Sequence, residues 1–160
     1  MRIIVFGATG MVGRTMLKVL EERVSHFPAG LEVIAVASER SAGQKLPFLD
    51  GELVVITPSR ALELHAEIAL FSAGAATSME WASQFTARGT YVIDNSSAWR
   101  REANVPLVVP EINAYTLKPG DYLIANPNCS TIQLVAALAP LHRAYGIDRI
   151  VVSTYQSVTG

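Results

Sequence analysis

The single cysteine of this 160-residue chain, Cys129, stands where a strand is expected to give way to a helix. The apolar run at 122–125 predicts the end of a buried strand, which Pro127 terminates because proline has no N–H for the ladder. Helix formers follow Cys129, and Asn128 suits the N-cap position. Unpaired N–H groups and the helix dipole at such a position favour the thiolate over the thiol. The pattern indicates a nucleophile; the alternative is a buried, inert cysteine.

A glycine-rich turn near the N-terminus has the spacing of a nucleotide-binding loop. Residues 2–6 predict a buried strand and residues 15–22 a helix, with G-x-x-G-x-x-G between them. Glycines there let the backbone approach a pyrophosphate, which rests on the helix N-terminus. The alternative is a plain tight turn of an α/β protein. The candidate cofactor-binding residues of this turn are Gly7, Thr9, Gly10, Met11, Val12 and Gly13.

The end of the second predicted strand, at 31–37, bears on which dinucleotide binds. An acidic residue there usually holds the ribose 2′-hydroxyl of NAD. Here Arg40, with Ser38 and Ser41, is suited to the 2′-phosphate of NADP through charge-assisted hydrogen bonds. Glu39 favours NAD if it faces the ribose. We therefore predict NADP, with Glu39 as the open question.

The rest of the chain alternates strands and helices, which predicts a Rossmann-type, doubly wound parallel sheet of the α/β class. We predict strands at 53–56, 68–71 and 91–93, an extended segment at 107–113, and helices at 60–67, 77–88 and 129–146. Ser72 and Gly74 follow one strand in a small-residue loop that can pass under a cofactor. Ligands of such sheets bind at the carboxyl ends of the strands. The residues expected to converge there are Gly10, Ser38, Gly74, Asn95, Arg100 and Cys129.

The last segment has a different pattern. Residues 149–158 alternate apolar and polar side chains, which predicts a strand with one exposed face in a different sheet. We therefore divide the chain into a nucleotide-binding domain at 1–148 and the start of a second domain at 149–160. The second domain is expected to continue in a larger protein.

Composition excludes several classes of function. Half of the residues are hydrophobic and 17% are charged, as expected for a folded domain, and the net charge of -1 argues against a nucleic-acid partner. One cysteine permits no internal disulfide, which is consistent with a reducing, cytoplasmic location. No apolar run is long enough for a membrane span, and the apolar N-terminal run is too short for a signal peptide. We predict no metal site.

Six motifs, and the chain's last residues, closely resemble the bacterial aspartate-β-semialdehyde dehydrogenases. The resemblance runs from residue 1 to residue 160, and this set in this order is highly specific. The segments that carry it are 7–13, 38–43, 71–74, 92–100, 108–113, 126–131 and 155–160.

The resemblance implies roles for individual residues. It implies that Cys129 is the nucleophile, that Gln156 orients the substrate, and that Arg100 binds phosphate, which Asn128 helps to hold. It also places Thr159 and Gly160 in an NADP site. The implied reaction is the reductive dephosphorylation of L-aspartyl-4-phosphate to L-aspartate-4-semialdehyde through a cysteine thioester. This reaction serves lysine, threonine and methionine biosynthesis, in a homodimeric cytoplasmic enzyme.

The resemblance also implies that this chain alone is inactive. Members of the family have a second domain, which at the usual size of a domain makes them about twice this length. They place a catalytic histidine and a substrate-binding arginine in that second half. Two alternatives remain: a related acyl-phosphate reductase and a non-catalytic NADP-binding module. A short-chain dehydrogenase is discounted, because that class needs Tyr-x-x-x-Lys and Tyr155 is followed by Gln-Ser-Val-Thr.

Overall fold

The computed structural model describes residues 1–27 and 29–155. Its strands are β1 (Arg2–Phe6), β2 (Glu32–Val36), β3 (Lys45–Phe48), β4 (Gly51–Val54), β5 (Ile68–Phe71), β6 (Tyr91–Asp94) and β7 (Leu123–Ala125). Its helices are α1 (Met11–Glu22), α2 (Pro58–Leu62), α3 (Ala75–Thr86), α4 (Pro110–Asn113) and α5 (Cys129–Tyr145). Five strands form a parallel sheet in the order β2-β1-β5-β6-β7. The predicted α/β class and parallel sheet are confirmed.

Strand β1, which lies between β2 and β5, separates two apolar cores. Alternate side chains of a strand point to opposite faces, so Ile3 and Val5 pack with α1 while Ile4 and Phe6 pack with α2 and α3. All four side chains are at most 3% exposed. Phe6 stacks on Phe71 with ring centroids 4.3 Å apart. Burial on both faces explains why this strand is a continuous apolar run.

The segment after β2 differs from its predicted single strand at 53–56. It forms an antiparallel hairpin in which β3 pairs with β4. Leu46 and Phe48 are buried against the α1 side of the sheet. The hairpin was missed because Pro47 lies inside β3 and the Asp-Gly pair of this segment, at 50–51, is offset by one residue from the two-residue turn at 49–50.

Several other boundaries also differ from prediction. Both α1 and α3 begin directly after a glycine, earlier than the predicted starts at 15 and 77, and α2 ends at Leu62 rather than 67. Residues 110–113 form the short helix α4 instead of an extended segment, with Pro110 in its first turn, where a missing N–H costs nothing. The predicted helix after Cys129 is confirmed, including Pro140 in its interior.

The predicted strand at 149–158 is wrong for its described part. Residues 149–155 pair with no other strand, and Tyr155 is 98% exposed. Alternating polarity makes a strand only where another segment accepts its hydrogen bonds, and none in the described residues does so. Gln156, Thr159 and Gly160 lie outside the described residues. Among the helices of the described chain, none is long and apolar enough to cross a membrane.

Candidate active site

The residues that follow the sheet's strands form a row along one edge. Each main-chain N–H in the row donates to the carbonyl of the last residue of the neighbouring strand. The hydrogen-bond ladder of the sheet therefore continues one residue past the strands. These bonds join Gly7 to Val36 at 2.8 Å, Ser72 to Phe6 at 2.8 Å, Asn95 to Phe71 at 2.9 Å and Asn126 to Asp94 at 2.8 Å. Neighbouring strands are about 4.8 Å apart, so the row from Gly7 to Asn126 spans roughly 15 Å. The predicted convergence at one edge of the sheet is confirmed.

A cleft of about 560 Å³ opens at the first half of this row. It is bounded by the ends of β1, β2 and β5 and by one wall from α2 and α3. Its lining residues are Phe6, Gly7, Thr9, Gly10, Ala37, Ser38, Glu39, Pro58, Ser72, Ala73, Thr77, Glu80 and Trp81. The wall residues Pro58, Thr77, Glu80 and Trp81 were missed from the sequence, because no motif tells which face of a helix will turn toward the sheet edge.

Three glycines of the loop, Gly7, Gly10 and Gly13, are required for different physical reasons. Gly7 has φ of +88°, and a Cβ there would lie 2.3 Å from the Ser72 carbonyl oxygen. A Cβ on Gly13 would lie 2.1 Å from the Gly7 carbonyl oxygen, so this residue lets α1 pack on the turn. A Cβ on Gly10 would meet only that same oxygen, at 3.3 Å. Gly10 therefore leaves open space beside the cleft, as a closely approaching ligand requires.

Two helices begin beside the cleft without a side-chain cap. Gly10 is the N-cap of α1 and Gly74 is the N-cap of α3, and neither helix has an acidic residue in its first turn. Unpaired N–H groups and the positive ends of two dipoles therefore lie at the cleft. This arrangement fits the pyrophosphate of a dinucleotide. Met11, Val12 and Gly13 belong to the first turn of α1 and, like Gly74, do not line the cleft itself.

The end of β2 presents Ser38 and Glu39 to the cleft. Arg40 and Ser41 lie in the 3-10 turn Glu39–Ser41 and are not among the lining residues. Arg40 is exposed and forms no ion pair within the described residues. The rim of the cleft therefore includes the exposed residue Glu39, and the exposed Arg40 stands next to it in the chain but outside the lining.

The nucleophile candidate lies at the other end of the row. Cys129 is exposed and is the first residue of α5. The Oδ1 of Asn128 accepts a 3.0 Å hydrogen bond from the Ser130 N–H, which confirms the predicted N-cap. The thiol is therefore accessible at a helix N-terminus, as a reactive cysteine requires.

Arg100 reaches this end of the row from a loop that follows β6. Its Nε donates to the Asn126 carbonyl at 2.9 Å and its Nη2 to the Asn95 carbonyl at 3.0 Å. Asn126 is three residues before Cys129 in the chain. The guanidinium is therefore bonded to the short segment that leads into α5. The sequence resemblance pointed to Arg100, and the structure brings it to the nucleophile's end of the row.

The loop that carries Arg100 is shaped by a buried carboxylate. Asp94 is fully buried, and its Oδ2 accepts a 2.6 Å hydrogen bond from the Ser96 hydroxyl. That hydroxyl accepts in turn from the Ala98 N–H at 3.1 Å. Together these bonds turn the chain back over the sheet edge. The Oδ1 of Asp94 has no partner among the described residues.

The three histidines lie away from Cys129. His142 is thirteen residues further along α5, which corresponds to about 20 Å at 1.5 Å per residue, and its Nδ1 accepts from the Ile147 N–H. His26 lies in the 3-10 turn after α1 and His65 follows α2, and both are exposed. No group of three potential metal-ligating side chains is present among the residues described.

The parallel sheet, the glycine turn and the cysteine at a helix start define a nucleotide-binding domain of the dehydrogenase type. Residues 2–119 match the family model described as the semialdehyde dehydrogenase NAD-binding domain. The chain belongs to this family.

Proteins named aspartate-semialdehyde dehydrogenase are similar over the whole chain. The one from Aquifex aeolicus is 53% identical, covering 99% of this chain and 47% of the relative. The one from Bacillus subtilis is 48% identical, covering 100% and 45%. The chain thus spans about half the length of the curated relatives it matches.

Solved structures of aspartate semialdehyde dehydrogenases are also similar to this chain over most of its length. Aspartate semialdehyde dehydrogenase II from Vibrio cholerae, complexed with ASA, has a TM-score of 0.81 and 44% identity, covering 92% of this chain and 48% of that one. The enzyme from Candida albicans, solved with NADP, has a TM-score of 0.74 and 29% identity, covering 91% and 48%.

Proposed function

We propose that this chain is the cofactor-binding, nucleophile-bearing half of an NADP-dependent aspartate-semialdehyde dehydrogenase. The proposed reaction converts L-aspartyl-4-phosphate to L-aspartate-4-semialdehyde and inorganic phosphate, a step toward lysine, threonine and methionine. The observation that carries the proposal is the row along the sheet edge, which has an uncapped helix and a cleft at one end and Cys129 with Arg100 at the other. The intact enzyme is proposed to be a cytoplasmic homodimer.

In this proposal the first half of the row holds the dinucleotide. The main chain at Gly10 and the first turn of α1, together with the uncapped start of α3, would hold the pyrophosphate. Ser38 and Arg40 would hold the 2′-phosphate of NADP, and Ser72 would lie against the cofactor. Thr159 and Gly160, outside the described residues, are proposed to complete the site. The reduced cofactor, when bound, supplies the hydride that reduces a thioester to the aldehyde.

The chain's own residues would prepare that thioester. The Cys129 thiolate attacks the acyl carbon of aspartyl phosphate, the S–C bond forms, and the C–O bond to phosphate breaks. Arg100 binds the departing phosphate, since its planar fork can donate two hydrogen bonds to one anion. Asn128 assists at the same anion, and Gln156 orients the substrate. The base that the reverse reaction needs is proposed to come from outside this chain, because none of its histidines is near Cys129.

The test is an assay of the full-length protein that contains this chain, run in the oxidative direction. Aspartate semialdehyde, NADP and phosphate should produce NADPH absorbance, and Cys129→Ser should abolish it. Glyceraldehyde 3-phosphate and N-acetylglutamate semialdehyde are the competing substrates, which distinguish related acyl-phosphate reductases. A preference for either of them, or full activity of Cys129→Ser, would refute the proposed function.

A further inference from the structure

The side chains of Asn95 and Asn126 are hydrogen-bonded to each other. The Nδ2 of Asn126 donates to the Oδ1 of Asn95 at 2.7 Å, and both residues are half-buried. They follow β6 and β7, which are paired neighbours in the sheet. They therefore stand side by side, one step beyond the last residues of their strands.

The main-chain carbonyls of the same two residues hold Arg100. The Asn126 oxygen accepts from Nε and the Asn95 oxygen accepts from Nη2. Two bonds to two edges of a planar group determine its orientation in the plane. A guanidinium has five N–H donors, so three remain, and these have no acceptor among the described residues.

The charge of Arg100 is also uncompensated in the described chain. Its two acceptors are neutral carbonyls, and none of the ion pairs formed by the described residues includes it. A half-buried cation with a defined orientation and no carboxylate partner is suited to an anionic ligand. The two carbonyls therefore orient the guanidinium of Arg100, and its positive charge remains available to a ligand.

We infer that Asn95 and Asn126 act as positioning residues, forming a side-chain pair that holds the two carbonyls at the orientation Arg100 needs to bind phosphate. The main-chain N–H groups of both residues still belong to the ladder, but their carbonyls accept from no main-chain N–H in the described residues. The amide pair links the two residues at that point, so losing it frees both acceptors together. This inference rests on the proposed phosphate-binding role of Arg100.

The experiment measures how inorganic phosphate protects Cys129 from iodoacetamide in the 160-residue chain, at constant pH and ionic strength. Phosphate should slow alkylation of the unmodified chain, and Arg100→Ala should remove that protection. Asn95→Ala and Asn126→Ala should each raise the half-protecting phosphate concentration about 3- to 10-fold, the size of one hydrogen bond. The double variant should do no more than the larger single change, because both break the same pair.

Two controls separate positioning from general damage. Asn104→Ala removes an exposed amide elsewhere on the surface and should leave the phosphate dependence unchanged. The alkylation rate without phosphate should stay within about twofold in all the asparagine variants, since the start of α5 is intact; a larger change there would overturn the inference.

The outcomes distinguish the two proposals. If phosphate does not protect the unmodified chain, the phosphate role of Arg100 is refuted, and the inference with it. If Arg100→Ala loses protection while Asn95→Ala and Asn126→Ala keep normal phosphate dependence, the positioning role alone is refuted. Fully additive losses in the double variant would also refute it, since the two amides would then act independently.

Discussion

The indole Nε1 of Trp99 donates a 2.8 Å hydrogen bond to the hydroxyl of Ser78, which is only 1% exposed. Trp99 directly precedes Arg100, and Ser78 lies on α3, the helix that forms part of the cleft wall. This bond therefore joins the loop at the nucleophile's end of the row to the wall at the cofactor end. It is a physical connection between the two halves of the candidate site.

Replacing Ser78 by alanine should test that connection. The indole N–H would lose its acceptor in a half-buried position, and we expect the free energy of unfolding to fall by about 1–3 kcal/mol. Urea denaturation followed by tryptophan fluorescence measures the loss. Ser83→Ala, an exposed serine on the same helix, is the matched control and should change stability by less than about 0.5 kcal/mol. Equal stability of the two variants would contradict a structural role for the bond.

Cofactor choice should respond in opposite directions to changes at Arg40 and Glu39. Arg40→Ala should weaken NADP binding by on the order of 1–3 kcal/mol, as for a charged hydrogen bond, and leave NAD nearly unchanged. Glu39→Gln should favour NADP, because it removes the negative charge of a residue that lines the cleft and keeps a side chain of nearly the same shape. Titration of each variant with both reduced cofactors, followed by their fluorescence, gives the two ratios. Equal losses for NADP and NAD in Arg40→Ala would rule out the 2′-phosphate contact.

Cys129 should react faster in the folded chain than in the unfolded chain. The thiol is exposed at the first turn of α5, and unfolding removes both the helix dipole and the unpaired N–H groups. Iodoacetamide alkylation at neutral pH, with and without a denaturing urea concentration, compares the two states of one molecule. Since this is the only cysteine, Cys129→Ser provides a zero background. A slower reaction in the folded state would instead support an inert structural cysteine.

The 160-residue chain alone should not oxidise aspartate semialdehyde at a measurable rate. None of its histidines is placed beside Cys129, and loss of a general base typically costs about 10²–10⁴-fold in rate. Following NADPH absorbance with semialdehyde, NADP and phosphate tests this prediction. The same assay with the C-terminal half of a full-length relative added in trans is the control. Turnover by the short chain near that of the intact relative would place the base within residues 1–160.

Local signals were sufficient to predict much of the fold and the position of several candidate site residues. The buried run at β1, the glycine turn and the Asn128 cap are properties of a few adjacent residues, and each had one favourable local structure. The rule that parallel strands end at the same edge then predicted that Gly10, Arg100 and Cys129 lie along one edge of the sheet. These features depend on short-range sterics and hydrogen bonding, which the order of residue types already specifies.

Features that depend on partners distant in the chain needed the tertiary structure. The hairpin of β3 and β4 is held by burial of Leu46 and Phe48, and the strand expected at 149–158 had no partner in the described residues. Glu39 lines the cleft and Arg40 does not, which depends on how the 3-10 turn Glu39–Ser41 meets the cleft. The pairing of Asn95 with Asn126, 31 residues apart, exists because β6 and β7 lie side by side. The residue types alone do not predict that contact, since an amide at a strand end can bond equally well to water, to a ligand or to another amide.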